Sequence, residues 1–267
     1  MTAGHPYFAA QEDPRILAHR GLVTAEMAGD GIAENSVAAI AAAHAAGATY
    51  VESDCHLTAD GVVVLFHDPR LTRVTGDDRA VAEVTHEELE GLMAARGGLA
   101  TMADALEAFP EVRFNIDVKA DAAADPAGRI ASAHAERVLL TSFDDRRRER
   151  ALAAARRAGG GPATSGGRGV VARAVWGALP GVGGRGARGA LAGVDALQVP
   201  ERAGRVRVVT PRLIDLAHRH GAEVHVWTVN EPDDMRRLLR MGVDGLVTDR
   251  ADIALEIAQE TGFARGR

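Results

Sequence analysis

Short apolar runs alternate with helical stretches along almost the whole chain, and this alternation limits the folds open to it. Ile16 to Ala18, Tyr50 to Asp54, Arg113 to Val118, Val138 to Thr141, Ala163 to Ser165, Ala196 to Val199, Glu223 to Val229 and Gly245 to Thr248 read as strands. Between them lie the alanine-rich Val37 to Ala46, then Glu87 to Met93, Met102 to Ala108, Pro126 to His134, Asp144 to Ala158, Pro211 to His220, Pro232 to Met241 and Asp252 to Glu260, all helical in character. Asn35 or Ser36 offers an N-cap to the first of these helices, and Gly47 ends it. Strands separated by helices pair in parallel through right-handed crossovers, and eight such units close into a (β/α)8 barrel. The expectation is an α/β chain folded as one TIM-barrel domain over residues 1–267. Gly159 to Gly193, rich in Gly and Arg, reads as a mobile surface region. It has one modest apolar patch of helical character, Val170 to Leu179, and lacks the spacing of a phosphate-cradling glycine loop.

Barrels of this kind keep their active sites at the carboxyl ends of the strands. In the second strand, Glu52 and Asp54 fall on one face, because side chains alternate along a strand. Neighbouring carboxylates repel unless a cation or shared proton lies between them, and hard oxygen donors suit Mg²⁺, Ca²⁺ or Mn²⁺. A turn at Asp60-Gly61 starts a further run, Val62 to Phe66, that delivers His67 and Asp68. The next strand carries Asn115, Asp117 and Lys119 on one face. Of the 31 Lys and Arg residues only Lys119 is lysine, which suggests a task for a compact ammonium that a planar guanidinium would fit badly.

A 46% apolar content with 25% charged residues is ordinary for a chain with a large core. The net charge of −6 and the absence of a basic run argue against nucleic-acid or anionic-membrane partners. Cys55 alone cannot form an intrachain disulfide, and the amino terminus lacks the pattern of a signal peptide. No apolar stretch is long enough to span a bilayer. The expectation is a cytoplasmic protein with no stable membrane association.

Taken in order, His19-Arg20-Gly21, Glu34-Asn35-Ser36, Glu52-x-Asp54, His67-Asp68, Asp117-x-Lys119, Trp227-Thr-Val-Asn230 and Asp244-Gly-Leu-Val-Thr-Asp249 resemble the glycerophosphodiester phosphodiesterase family. The resemblance implies a TIM barrel with one divalent cation, Mg²⁺ or Ca²⁺, that hydrolyses small-molecule glycerophosphodiesters to glycerol phosphate and an alcohol. It implies that His19 and His67 are the general acid and base, and that Glu52, Asp54 and Asp117 are the metal ligands. Arg20 and Lys119 would then bind the phosphate, with Glu34 near substrate or metal and Trp227 as an apolar wall of the glycerol pocket. Three departures bear on substrate choice: aspartate at 117, where the family usually has glutamate, Ala33 where it has proline, and a long loop from Leu22 to Ala33 whose Glu26 and Asp30 would reshape the pocket mouth.

For other residues a structural reading suffices: Asn35 as a helix cap, Asp244 and Asp249 as turn and cap, and the remaining histidines as surface or satisfied core. Three alternatives stay open. One is a lysophospholipase D-like enzyme, which would need an exposed apolar groove. The others are a cyclising phosphodiesterase and a non-catalytic phosphate-binding barrel.

Overall fold

The structure, a computed structural model, describes residues 4–9, 14–182, 184 and 186–262. Its strands are β1 (Arg15–His19), β2 (Tyr50–Leu57), β3 (Val63–Leu65), β4 (Arg113–Val118), β5 (Val138–Thr141), β6 (Ala163–Thr164), β7 (Ala196–Pro200), β8 (Arg202–Ala203), β9 (Val206–Arg207), β10 (Glu223–Trp227) and β11 (Gly245–Thr248). Eight of them form a parallel sheet in the order β6-β5-β4-β2-β1-β11-β10-β7. A parallel bridge from Ser165 to Ala196 brings the two ends of that order together, so the sheet closes on itself. β3 pairs antiparallel with β2 outside the barrel, and β8 and β9 form a separate hairpin.

The alternation of side chains decides what each layer contains. Ile16 and Ala18 of β1, Val51 of β2, Phe114 and Ile116 of β4 and Leu140 of β5 point outward into the apolar layer under the helices. Truncating such a side chain costs about 2–5 kcal/mol in transfer and cavity terms. Leu17, Tyr50, Leu139, Ala163, Ala196 and Val247 point inward and fill the lower barrel.

Below them lies a closed polar cluster. Arg15 donates to both Glu223 oxygens at 2.6 and 2.7 Å, to the Tyr50 hydroxyl at 3.2 Å and to the Phe8 carbonyl at 2.9 Å. His225 is fully buried and lies 3.0 Å from Glu223. The short 3-10 turn Pro6–Phe8 stoppers this end with Tyr7, whose ring meets Tyr50 edge-on at 5.3 Å. Burial works against the Glu223 charge, yet hydrogen bonds from His225 and Arg15 outweigh it and hold its pKa down at about 2.

The helices fall close to their expected positions, with three local differences. Leu22 to Ala33, read as loop, contains the helix Ala25–Gly29. The cap of helix Val37–Ala45 is Ser36, whose hydroxyl accepts from the Ala39 amide, and not Asn35. The stretch read as mobile surface is ordered around the helix Arg168–Gly177, which starts two residues before the patch of helical character read at Val170 to Leu179 and ends two before its end. This helix is anchored at its start, where the Asp145 carboxylate accepts from the Gly167 and Gly169 amides at 3.1 and 2.8 Å.

Candidate active site

β1 ends at His19, and the chain then turns sharply through Arg20 (φ 58°) and Gly21 (φ 86°). A Cβ at Gly21 would lie 2.6 Å from the Ala39 carbonyl carbon, so only glycine lets this turn lie on the first helix. Arg20 adopts a left-handed conformation that non-glycine residues enter at a cost, and its guanidinium thereby reaches Glu34 at 2.8 Å and Asp54 at 3.1 Å.

β2 and β4 pair with Asp54 opposite Asp117. Glu52, Asp54 and Asp117 all point into the upper barrel and are buried. The Lys119 ammonium stands between two of them, 2.9 Å from Asp54 and 2.5 Å from Asp117. Burial works against its charge, but the two carboxylates outweigh that and hold its pKa up. Glu52 is less well compensated: burial and the neighbouring Asp54 charge push its pKa up to about 8. Burial also raises Asp117, against the pull of Lys119, and Asp117 Oδ1 is buried without a hydrogen-bond partner.

Among the described residues, no three His, Cys, Asp or Glu side chains converge as a ready-made metal shell. The donor chemistry nevertheless fits a divalent cation. Three hard carboxylates lie on adjacent strands, one oxygen is unsatisfied, and burial together with the Asp54 charge raises the pKa of the Glu52 carboxyl.

The two predicted histidines stand on this same cavity. His19 Nδ1 lies 2.6 Å from Asp249, and His67 Nδ1 lies 2.6 Å from Asp68. A carboxylate on Nδ1 keeps the proton there and leaves Nε2 to exchange protons. Burial disfavours the charged form of His19, but the Asp249 hydrogen bond and the Glu52 charge outweigh it and raise the pKa. The hydrogen bond from Arg73 and that from His67 hold Asp68 at about 2 against burial. Arg73 also grips Glu34 at 2.6 Å, so Glu34 is shared between two arginines at the edge of the site.

The structure adds residues that the motifs alone left as scaffolding. Asn35 is almost fully buried, donates to Asp54 at 3.2 Å and accepts from Ser53, so it aims a carboxylate and does not cap a helix. Asp249, read as a helix cap, instead holds His19 and accepts from Asn230 at 2.7 Å. Asp244 lies apart from the site, where it binds His218 at 2.7 Å and the Val224 amide at 2.8 Å. Trp227 lines the cavity and meets Phe143 edge-on at 5.5 Å.

The cavity has a volume of about 820 Å³. Its floor is the charged group just described, and one wall is apolar, built by helix Arg168–Gly177 and the β8–β9 hairpin. No helix of the described residues is long and apolar enough to cross a membrane.

The family model for the glycerophosphoryl diester phosphodiesterase family matches residues 19–160 and 182–253. The chain is 37% identical to a probable glycerophosphodiester phosphodiesterase 2 of Mycobacterium tuberculosis, over 90% of this chain and 89% of that protein. It is 23% identical to a glycerophosphodiester phosphodiesterase of Caldanaerobacter subterraneus subsp. tengcongensis, over 92% of this chain and 98% of that one. A crystal structure of a glycerophosphodiester phosphodiesterase from Thermotoga maritima superposes with a TM-score of 0.67 at 25% identity, covering 91% of this chain and 97% of that one. Fold, motif order and matched length agree, and the chain belongs to the glycerophosphoryl diester phosphodiesterase family.

Proposed function

We propose that this protein hydrolyses glycerophosphodiesters to glycerol phosphate and an alcohol, using one divalent cation, Mg²⁺ or Ca²⁺, and the pair His19 and His67 as acid and base. The observation that carries this reading is the pair of imidazoles, each backed by a carboxylate, on one cavity with Arg20, Lys119 and three buried carboxylates. Glu52, Asp54 and Asp117 would hold the metal, which when bound neutralises charge growing on the phosphoryl oxygens.

Arg20 and Lys119 donate charge-assisted hydrogen bonds to the same oxygens, and these strengthen as the phosphorus becomes pentacoordinate. His19, favoured in its charged form by Asp249, gives its Nε2 proton to the departing alkoxide. His67, with Nδ1–H directed at Asp68, accepts the proton of the attacking water on Nε2. The Phe143–Trp227 pair excludes water from one side of the glycerol. The single buried cysteine, Cys55, supports a reducing, cytoplasmic setting.

The test is product analysis on a panel of glycerophosphodiesters with and without exhaustive chelation. Glycerol phosphate and free alcohol should form only in the metal-replete protein. Full turnover after chelation overturns the metal assignment, and a cyclic phosphate product would assign the attack to the substrate's own hydroxyl. No turnover on any diester overturns the reaction.

A further inference from the structure

The net charge of −6 conceals an uneven distribution, and the expectation of no anionic-membrane partner rested on that net charge. Residues 161–212 hold eight arginines and two acids, Asp195 and Glu201. Both acids are engaged: Asp195 accepts from the Thr164 amide at 2.8 Å, and Glu201 binds Arg237 at 2.7 Å. The arginines occur singly, so no basic run marks them in the sequence.

The fold brings five of them around the mouth of the cavity. Arg168 lines the cavity itself, and Arg207 and Arg212 line a cleft of about 360 Å³ that shares Val175, Leu179 and Val208 with it. Arg202 and Arg205 stand on the β8–β9 hairpin. All five are exposed. Among the described residues none has a carboxylate partner: Arg202 donates to the Arg205 carbonyl at 3.0 Å, and Arg168 lies over the Phe143 ring. The hairpin pairs Arg202 directly with Arg207 and Ala203 with Val206, so one face of the ribbon holds two like charges while Ala203 and Val206 line the cavity. Like charges directly opposite on two strands are destabilising, and a ribbon this short has little of its own to offset them. An anion approaching from outside relieves that repulsion.

Apolar side chains stand among these charges. Five large apolar side chains are exposed among the described residues, and four of them, Phe143, Trp176, Leu179 and Val206, line this one cavity. Scattered exposed apolar residues are ordinary, but a cluster of them within a group of arginines has the composition of a surface that lies on a membrane.

We propose that this rim docks the protein reversibly on an anionic bilayer surface, with the mouth of the cavity turned toward the lipid headgroups. The arginines meet lipid phosphates, and Trp176, Leu179 and Val206 sit at headgroup level, where an aromatic ring with a polar N–H is favoured. Charge complementarity selects this occupant: the rest of the chain is acidic, so an anionic surface attracts this face and repels the others. A nucleic acid would also meet the arginines but has no use for the leucine and valine between them. The contact is peripheral, and it leaves the reaction and its substrate as proposed above.

Co-sedimentation tests this, with vesicles of phosphatidylcholine alone and of phosphatidylcholine carrying roughly one third phosphatidylglycerol. The protein should bind the anionic vesicles and not the neutral ones, and binding should fall steeply between about 0.1 and about 0.5 M salt as surface charge is screened. The double substitution Arg205→Gln and Arg207→Gln should weaken binding roughly 30-fold, about fivefold for each arginine removed from an anionic surface. Its melting temperature and its turnover of soluble glycerophosphocholine should match those of the unsubstituted protein. Tryptophan emission should shift to the blue on anionic vesicles, and Trp176→Phe should abolish the shift. Four results overturn the proposal: no binding to anionic vesicles, equal binding to neutral ones, binding indifferent to the double substitution, or a blue shift that survives Trp176→Phe. Binding of a single-stranded oligonucleotide in place of vesicles also overturns it. None of these readouts requires turnover, so failure of the hydrolytic reading would be seen separately, as inactivity on glycerophosphocholine.

Discussion

The barrel carries a buried charge cluster at each end, and the two behave in opposite ways. At the bottom, Glu223 has Arg15 and His225 as partners, and its pKa is held down at about 2. At the top, burial and the neighbouring Asp54 charge, with too little positive charge to offset them, push the Glu52 pKa up to about 8. Both are glutamates on inward-facing positions of barrel strands, Glu52 buried and Glu223 half-buried, and burial raises the pKa of each, so the direction of the difference comes from their partners. The difference is charge pairing: Glu223 is bonded by both Arg15 and His225, whereas the upper cluster leaves Asp117 Oδ1 unpartnered and its carboxylates short of cation. A closed network supports the fold, and an open one is a place for a ligand.

The strongest way to break this contrast is to remove the open charge. Glu52→Gln should lower turnover by at least about 10⁴-fold, the upper end of single-group effects, and weaken divalent-cation binding with little loss of melting temperature. Calorimetric titration with Ca²⁺ or Mg²⁺ measures this, and undiminished affinity would exclude Glu52 as a ligand. In the same assay, Asp117→Glu should keep more affinity than Asp117→Asn, because charge matters more here than reach.

Replacing His19 or His67 by Ala should cost roughly 10²–10⁴ in turnover while metal binding survives. A p-nitrophenyl phosphodiester leaves without protonation, so it should rescue the His19 variant and not the His67 variant. Equal rescue of both, or of neither, means the acid and base roles are wrongly assigned.

Asp249→Asn should lower kcat by roughly 10- to 100-fold, the range seen when a residue that orients a reactive group is lost. Because Asp249 raises the His19 pKa, the limb of the pH–rate profile that belongs to His19 should move to lower pH. A profile that keeps its limb would make Asp249 a purely structural neighbour.

The smallest effect on activity, and the clearest contrast between the two ends, comes from stability against pH. Glu223 is depressed from 4.5 to about 2, so the stability it contributes is present above about pH 4.5 and is lost as pH falls through 2. Glu52 is raised from 4.5 to about 8, so its contribution is present below pH 4.5 and is lost as pH rises through 8. Chelated protein should therefore lose melting temperature toward pH 8, and added divalent cation should restore more of it there than at pH 5. Glu223→Gln should cost about 3 kcal/mol and erase the acid limb while leaving kcat/KM per folded molecule unchanged.

The same contrast marks how far the sequence could be read. Glu52 and Asp54 were legible because strand periodicity puts them on one face, and Lys119 because it is the lone lysine in an arginine-rich chain. Asn35 and Asp249 were not, because each makes its functional contact with a residue distant in the chain, and a capping residue type has an adequate local explanation. The apolar wall was hidden for a different reason. Val170 to Leu179 reads as one modest patch, and only the docked helix shows that it faces both the core and the cavity. Barrel strands and most helices followed from pattern, and even the brief β6, read over Ala163 to Ser165, is found at Ala163–Thr164.

That brevity has a mechanical consequence. β2 and β4 are joined along six paired positions, whereas β6 meets β7 through a single bridge at Ser165 and Ala196. The seam of the barrel thus falls immediately before the helix that forms the apolar wall, on the far side from the strands that bear Glu52, Asp54 and Asp117. Within the barrel sheet, amide exchange should begin at Thr164 and Gly166, where the pairing is shortest, while the strands that bear the carboxylates keep their register.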